Sequence, residues 1–261
     1  MNLDLTGKHA LVCGGSQGIG FAAAIELAKL GADVTLLARS PASLDAALIA
    51  LPKTGAQKHA TIAVDMADHA ALGAAIENLA TTHPVNILVN NTGGPPGGPA
   101  HTATSDAFLA AFNQHIIAAQ TVLKAILPGM RASGYGRIVN VISTSVKEPI
   151  RNLGVSNTIR GATASWAKTL ATELGPFGIT VNNVLPGYTK TQRLEQILAD
   201  RSRATHTTED AVAKTMLATV PLGRFAEPGE IAAAIAFLAS PAAGYINGIN
   251  VPVDGGRTLS L

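Results

Sequence analysis

The junction between residues 9 and 28 constrains this chain more than any other stretch. An apolar run, His9–Cys13, breaks into Gly14-Gly15-Ser16-Gln17-Gly18-Ile19-Gly20, and apolar residues then resume at helical spacing as Phe21, Ile25 and Ala28. That order reads strand, glycine turn, helix. Gly14, Gly18 and Gly20 let the backbone turn tightly, let a phosphate approach the amides of Ser16, Gln17 and Ile19, and let the helix pack close to the strand. The helix N-terminus supplies unpaired N–H groups and the positive end of a dipole, an anion site suited to a dinucleotide pyrophosphate.

The alternation continues along the chain. Short apolar strands are predicted at residues 34–38, 61–64, 85–89, 137–143, 179–185 and 249–253, separated by amphipathic helices at 68–79, 105–131, 153–174 and 228–239. The 105–131 segment reads as one helix, with Phe108, Phe112, Ile116, Ala119, Leu123 and Leu127 on a single face. Strands alternating with helices mean an α/β fold: a doubly wound, mainly parallel, seven-stranded sheet in a single domain covering residues 1–261. Residues 192–220 interrupt the pattern with two helical stretches, and an insertion there would cover a pocket. The chain has 261 residues, 47% of them hydrophobic, enough for one sizeable core.

Charge and cysteine content narrow the partners. With 14% charged residues and a net charge of +2, the chain has no basic field for nucleic acid or an anionic membrane. Small molecules are the expected partners. Cys13 is the single cysteine, so no internal disulfide or cysteine-built metal site is expected, and no metal is assigned. The N-terminal residues reach the first strand quickly, with Asp4 and Lys8 on the way, which argues against a signal peptide. The apolar run 231–239 falls short of the roughly 18 residues that cross a bilayer. A cytoplasmic location is expected.

Residues at the carboxyl ends of the strands face the crevice of such a sheet. After the second strand there is no carboxylate to accept from both adenosine ribose hydroxyls. Arg39 and Ser40 stand there instead, donors suited to a 2′-phosphate, which favours NADP(H) over NAD. Ser40 also reads as a helix N-cap with Pro41 at the first helical position. Asp65, followed by Met66, could accept from the adenine amino group or simply cap a helix. Residues 90–99, Asn-Asn-Thr-Gly-Gly-Pro-Pro-Gly-Gly-Pro, suit a stiff wall beside a flat cofactor.

Taken together, the G-x-x-x-G-x-G turn, Arg39, Asp65, Asn90-Asn91-Thr92-Gly93, Ser143, Pro186-Gly187 with Thr191, and the 248–256 ending resemble the short-chain dehydrogenase/reductase family over nearly the whole chain, in particular members like 3-oxoacyl-acyl-carrier-protein reductase. The resemblance implies an NADPH-binding oxidoreductase. It places Asn91 and Gly93 on the adenosine side of the cofactor, Pro186, Gly187, Thr189 and Thr191 on its nicotinamide and phosphates, and Ser143 in the catalytic site. It also implies a homotetramer or homodimer.

The catalytic segment departs from that family. At the family spacing Ser156 stands where Tyr is expected and Arg160 where Lys is expected, and His115 replaces a helix Asn. No Tyr-x-x-x-Lys occurs elsewhere. A serine hydroxyl does not ionise usefully as an acid, and arginine stays charged, so the proton-delivery step is altered while ribose binding by Arg160 survives. Tyr188, Lys147 and His115 are the alternative proton donors, beside water or none. Two functions follow: an NADPH-dependent reductase of a carbonyl, imine or activated double bond, or a catalytically silent NADP-binding sensor or scaffold.

Overall fold

The computed structural model describes residues 1–260. All five residues of β1 (His9–Cys13) are buried, as is the middle of β2 (Asp33–Ala38). Strands apolar on both faces need helices on both sides, and the connections needed to supply them make the sheet parallel. The remaining strands are β3 (Ala60–Ala63), β4 (Ile87–Asn90), β5 (Gly136–Val141), β6 (Ile179–Pro186) and β7 (Asn250–Val253). They form one seven-stranded sheet of order β3-β2-β1-β4-β5-β6-β7, parallel at every pairing. The order reverses between β1 and β4, and their carboxyl ends open the crevice where such sheets take ligands.

Successive side chains of a strand point to opposite faces, and β1 divides its own neighbours accordingly. On one face Val12 packs with Ala23, Ala24 and Leu27 of α1 (Gly18–Lys29), Leu44 of α2 (Pro41–Ala50) and Ile235 of α9 (Pro228–Ala239). On the other, Leu11 packs with Ile76 of α3 (His69–Thr82), Val122 and Ile126 of α5 (Ala118–Ser133) and Ala167 of α6 (Gly154–Leu174). Each such fully buried leucine or isoleucine contributes about 1.5–3 kcal/mol over its exposed state.

The 105–131 segment corrects the sequence reading. It is α4 (Ser105–Phe112), a π-turn at Asn113–Ile117, and then α5. A π-turn holds one more residue than an α-turn, so the face before it does not continue in register after it. Of the residues expected on that face, Ile116, Ala119 and Leu123 are buried as expected, whereas Phe112, just before the π-turn, is 39% exposed. His115 sits in the π-turn and is buried there. A second difference is shorter: β5 ends at Val141, so Ser143 lies beyond the strand, in extended backbone before a 3-10 turn at Thr144–Val146.

Residues 192–220 contain α7 (Gln192–Thr205) and α8 (Glu209–Leu217). Leu194, Val212 and Met216 form a small apolar cluster of their own, with Tyr188 and Phe225 packed on it. Among the described residues no helix is long and apolar enough to cross a membrane, and no group of three or more His, Cys, Asp or Glu could hold a metal ion. The Cys13 thiol is buried in β1, which pushes its pKa up to about 12 and leaves it inert.

Candidate active site

Each of the three turn glycines meets a distinct constraint. Gly14 has φ of +60°, and a side chain there would begin 2.4 Å from the Asn91 carbonyl. Gly18 also lies in the left-handed region, at +57°, facing the Thr191 methyl at 3.4 Å. At Gly20 a Cβ would stand 2.2 Å from the Gly14 carbonyl, so only glycine lets α1 start this close to β1. The Gln17 side chain makes no cap bond to α1, and the first turn of that helix holds no acidic residue. Its N-terminal amides meet no side-chain cap, as is also true of α6 and α7. By contrast Ser40, Asp68, Thr104 and Thr208 cap α2, α3, α4 and α8 with their own side chains.

Around the rim, Arg39 and Ser40 are exposed at the end of β2, and Ser40 Oγ accepts from Ser43 N at 3.3 Å with Pro41 at the helix start. Both readings of Ser40 fit that position. Asp65 is exposed and accepts from Ala67 N at 2.9 Å, while the cap of α3 is Asp68 and not Asp65. Met66 is buried in the core beside α3, beneath the crevice. Asn91 turns inward and donates to the Gly14 carbonyl at 3.3 Å, so its side chain braces the glycine turn. Gly93 has open space where a side chain would begin. Across the crevice, Pro186 ends β6, and Gly187 is pinned against Asp254, whose Cα would lie 2.6 Å from an added Cβ. Thr189 and Thr191 follow, Thr191 Oγ1 donating to the Thr189 carbonyl at 3.3 Å.

At the floor, Arg160 is buried in α6 and donates from Nη1 to the Val141 carbonyl at 3.1 Å and from Nη2 to the Thr92 carbonyl at 3.3 Å. Burial and the nearby charge of Arg193 lower its pKa to about 10, which leaves it a cation at neutral pH. His115 Nδ1 pairs with Thr92 Oγ1. Burial, reinforced by the Arg160 charge, lowers the His115 pKa to about 3, so its imidazole is neutral under ordinary conditions. An imidazolium acid is therefore not what this histidine offers. Ser143 Oγ accepts from Ser145 N at 3.1 Å and keeps its proton to donate. Ser156 is half-buried in the first turn of α6, one turn before Arg160. The Tyr188 ring meets Phe225 edge-on at 6.2 Å and lies under the Arg257 guanidinium at 4.7 Å, packed on the Leu194, Val212 and Met216 cluster. Lys147 is half-buried at the end of the 3-10 turn.

A feature that the sequence reading did not single out runs beneath these residues. Asn90, Asn140, Asn183 and Asn250 stand in register on β4, β5, β6 and β7 and form a ladder of side-chain amides, each donating to the next at 2.8 Å. The ladder ends at Asn90 Oδ1, a buried acceptor without a partner. Together with His115 Nε2, likewise buried and unpartnered, it lines a cavity of about 10 Å³, the space of one water, between Met66, Thr163 and Arg160. Arg193 was also missed, while Thr92 was noted only as part of the Asn90–Gly93 motif and without its contacts to His115 and Arg160. Asparagine recurring at equivalent strand positions was the available signal for the ladder; nothing in the spacing marked Arg193.

The family model described as Enoyl-(Acyl carrier protein) reductase matches residues 14–258. The chain is a short-chain dehydrogenase/reductase. It is 35% identical over 257 residues to the L-xylulose reductase of Mesocricetus auratus, covering 98% of each chain. The L-sorbose reductase from Gluconobacter frateurii, solved in complex with NADPH and L-sorbose, superposes with a TM-score of 0.93 at 30% identity, each chain fully covered. The NADPH-dependent reductase YwfH, involved in bacilysin biosynthesis, superposes with a TM-score of 0.91 at 27% identity over 97% of this chain and 99% of its own. These relatives of the short-chain dehydrogenase/reductase are oxidoreductases, as their names state, and the site residues above lie within the matched segment.

Proposed function

We propose that this short-chain dehydrogenase/reductase is an NADPH-dependent reductase of a small molecule, with a proton-delivery site remodelled by Ser156 and Arg160. The observation that carries the reading is Arg160 itself. A permanent cation is fixed at the crevice floor by two backbone carbonyls, where the family's lysine stands, with donors left over for ribose hydroxyls. The residues present fit the cofactor. The uncapped start of α1, behind Gly14, Gly18 and Gly20, holds the pyrophosphate through the amides of Ser16, Gln17 and Ile19, and Arg39 with Ser40 takes the 2′-phosphate. Asp65 accepts from the adenine amino group. The backbone at Met66, Asn91 and Gly93 walls the adenosine side, and Pro186, Gly187, Thr189 and Thr191 hold the nicotinamide end.

When bound, NADPH supplies a hydride. Ser143 donates its hydroxyl proton in a hydrogen bond to the acceptor atom of the substrate, and Arg160 orients the cofactor ribose. No phenol stands at residue 156 to pass a proton as the hydride arrives. Groups that accept a hydride without a strong acid, an iminium or an activated double bond, therefore suit the site better than a simple ketone. The proton is supplied by Tyr188, by Lys147 or by solvent, and neutral His115 serves as a hydrogen-bonding support for Thr92. Residues 192–220 cover the pocket, and the family's assembly as a homodimer or homotetramer goes with this reading.

The test is NADPH oxidation against matched panels of imines, enones and ketones. Turnover concentrated on the imine and enone panels supports the proposal. Tight NADPH binding with no turnover on any panel favours the silent sensor or scaffold instead.

A further inference from the structure

The stretch that follows β7 ties together the loops that leave β5 and β6. In the sheet β6 lies between β5 and β7, so a chain leaving β7 reaches the loop after β5 by passing the carboxyl end of β6. Residues 254–260 take that path. Gly255 and Gly256 both lie in the left-handed region, with φ of +66° and +84°, and turn the chain there. Asp254 fixes the turn, its Oδ1 accepting from Gly256 N at 3.0 Å and its Oδ2 from Thr258 N at 2.8 Å.

On the β6 side, Gly187 N donates to the Val253 carbonyl at 2.9 Å, and the Arg257 guanidinium lies over the Tyr188 ring at 4.7 Å. On the β5 side, Arg257 Nη1 donates to Thr144 Oγ1 at 3.3 Å, and Glu148 Oε1 accepts from Leu259 N and Ser260 N, each at 2.8 Å. One guanidinium thus spans the residue after Ser143 and the residue after Gly187. In the reductase reading Ser143 bonds the substrate and Gly187 helps to hold the nicotinamide end.

The contact reaches Ser143 through its turn. Ser143 Oγ accepts from Ser145 N at 3.1 Å, Val146 N donates to the Ser143 carbonyl at 3.2 Å, and Lys147 N and Glu148 N donate to the Thr144 carbonyl at 2.9 and 3.2 Å. The hydroxyl therefore moves with the turn. A 3-10 turn of three residues has poor hydrogen-bond geometry and little strength of its own, and this one is held from outside at Thr144 and at Glu148. We propose that Arg257 and Glu148 are positioning residues which, through the 254–260 stretch, brace the Ser143–Glu148 turn against the Gly187–Tyr188 loop and so set Ser143 at reacting distance from the nicotinamide end. The inference rests on the reductase reading. Neither residue is among those assigned to the cofactor, so the brace acts on the transfer step and not on NADPH affinity. A displacement of about 1 Å at a reacting group costs on the order of a hundredfold in rate.

Amide exchange at Ser145–Glu148 in the NADPH-loaded protein tests the brace without turnover, with the amides of β1 as the control for an intact fold. Arg257→Ala and Glu148→Ala should each speed exchange there by about tenfold or more. Arg257→Lys keeps a donor for Thr144 and Glu148→Gln an acceptor for the two amides, so both should fall between wild type and the alanine variants. Thr144→Val should loosen the turn as Arg257→Ala does, and combining the two should add little. NADPH affinity by calorimetry should change by less than about threefold, while kcat on a substrate that is turned over should fall about tenfold or more in Arg257→Ala with KM little changed. Unchanged exchange in both alanine variants overturns the brace, as does additivity of Thr144→Val and Arg257→Ala. A tenfold loss of NADPH affinity in Arg257→Ala also overturns it, by assigning Arg257 to the cofactor. Should Arg257→Ala lose protection in β1 as well, Glu148→Ala and Thr144→Val decide, and unchanged exchange in them overturns the brace. Faster exchange with no turnover on any panel defeats the reductase reading and leaves the brace standing; turnover with unchanged exchange does the reverse.

Discussion

His115 gives the structure's clearest electrostatic prediction. Its imidazole is buried beside the Arg160 cation, and its pKa falls to about 3 in the folded chain, against about 6.5 when unfolded. Because the folded pKa is the lower one, the unfolded chain takes up a proton first as pH falls. Stability contributed by neutral His115 is thus complete above about pH 6.5 and is lost progressively between pH 6.5 and about 3. At about pH 5 the loss from this one group is about 2 kcal/mol relative to neutral pH. His115→Asn removes the titration, so its unfolding free energy should fall by about 2 kcal/mol less between pH 7.5 and 5 than that of wild type. His9, also buried with a lowered pKa, remains in both proteins and cancels. Urea melts at fixed protein concentration supply the comparison, and the imidazole proton resonances of His115 supply a direct one. Parallel curves for the two proteins, or a His115 resonance that titrates near pH 6.5, would refute the electrostatics described here.

Arg39→Asp should weaken NADPH by about tenfold or more and improve NADH, measured by calorimetric titration of both cofactors; unchanged NADPH affinity removes Arg39 from the 2′-phosphate site. Asn140→Ala leaves the Asn90 amide and the Asn183 carbonyl of the ladder without partners, each costing about 1–3 kcal/mol, so thermal stability should drop well beyond the usual effect of a surface substitution. Ser156→Tyr combined with Arg160→Lys restores a phenol and a cation able to lower its pKa, and steady-state assays should show a modest gain in ketone reduction. If native activity falls while ketones stay unreduced, the pocket is built around a different substrate and not around a degraded family site.

The parallel sheet and the glycine turn were legible because they depend on local rules. Continuous apolar strands demand cover on both faces, and Gly14, Gly18 and Gly20 have no substitute at their backbone angles and contacts. What the sequence concealed depends on phase or on distance through space. The π-turn at Asn113–Ile117 adds one residue to a helix whose pattern otherwise looks unbroken, which is why Phe112 was expected inside and lies at the surface. Arg160 was readable as a cation at a lysine position, but its pairing with Arg193 joins helices that flank the loop at Gly94, and no linear pattern records such a meeting. The amide ladder lies between these cases. Its four asparagines are visible one by one, and only the strand register aligns them.

The central claim is that hydride passes from NADPH to a substrate in a site without the family's phenol. NADPH carrying deuterium at the transferred C4 position, incubated with wild type and the enone and imine panels, tests it most directly by mass spectrometry of the products. The account predicts one deuterium from the cofactor in the product, with the accompanying proton taken from solvent. Product free of cofactor deuterium, or no product from any substrate although NADPH is tightly bound, would contradict it.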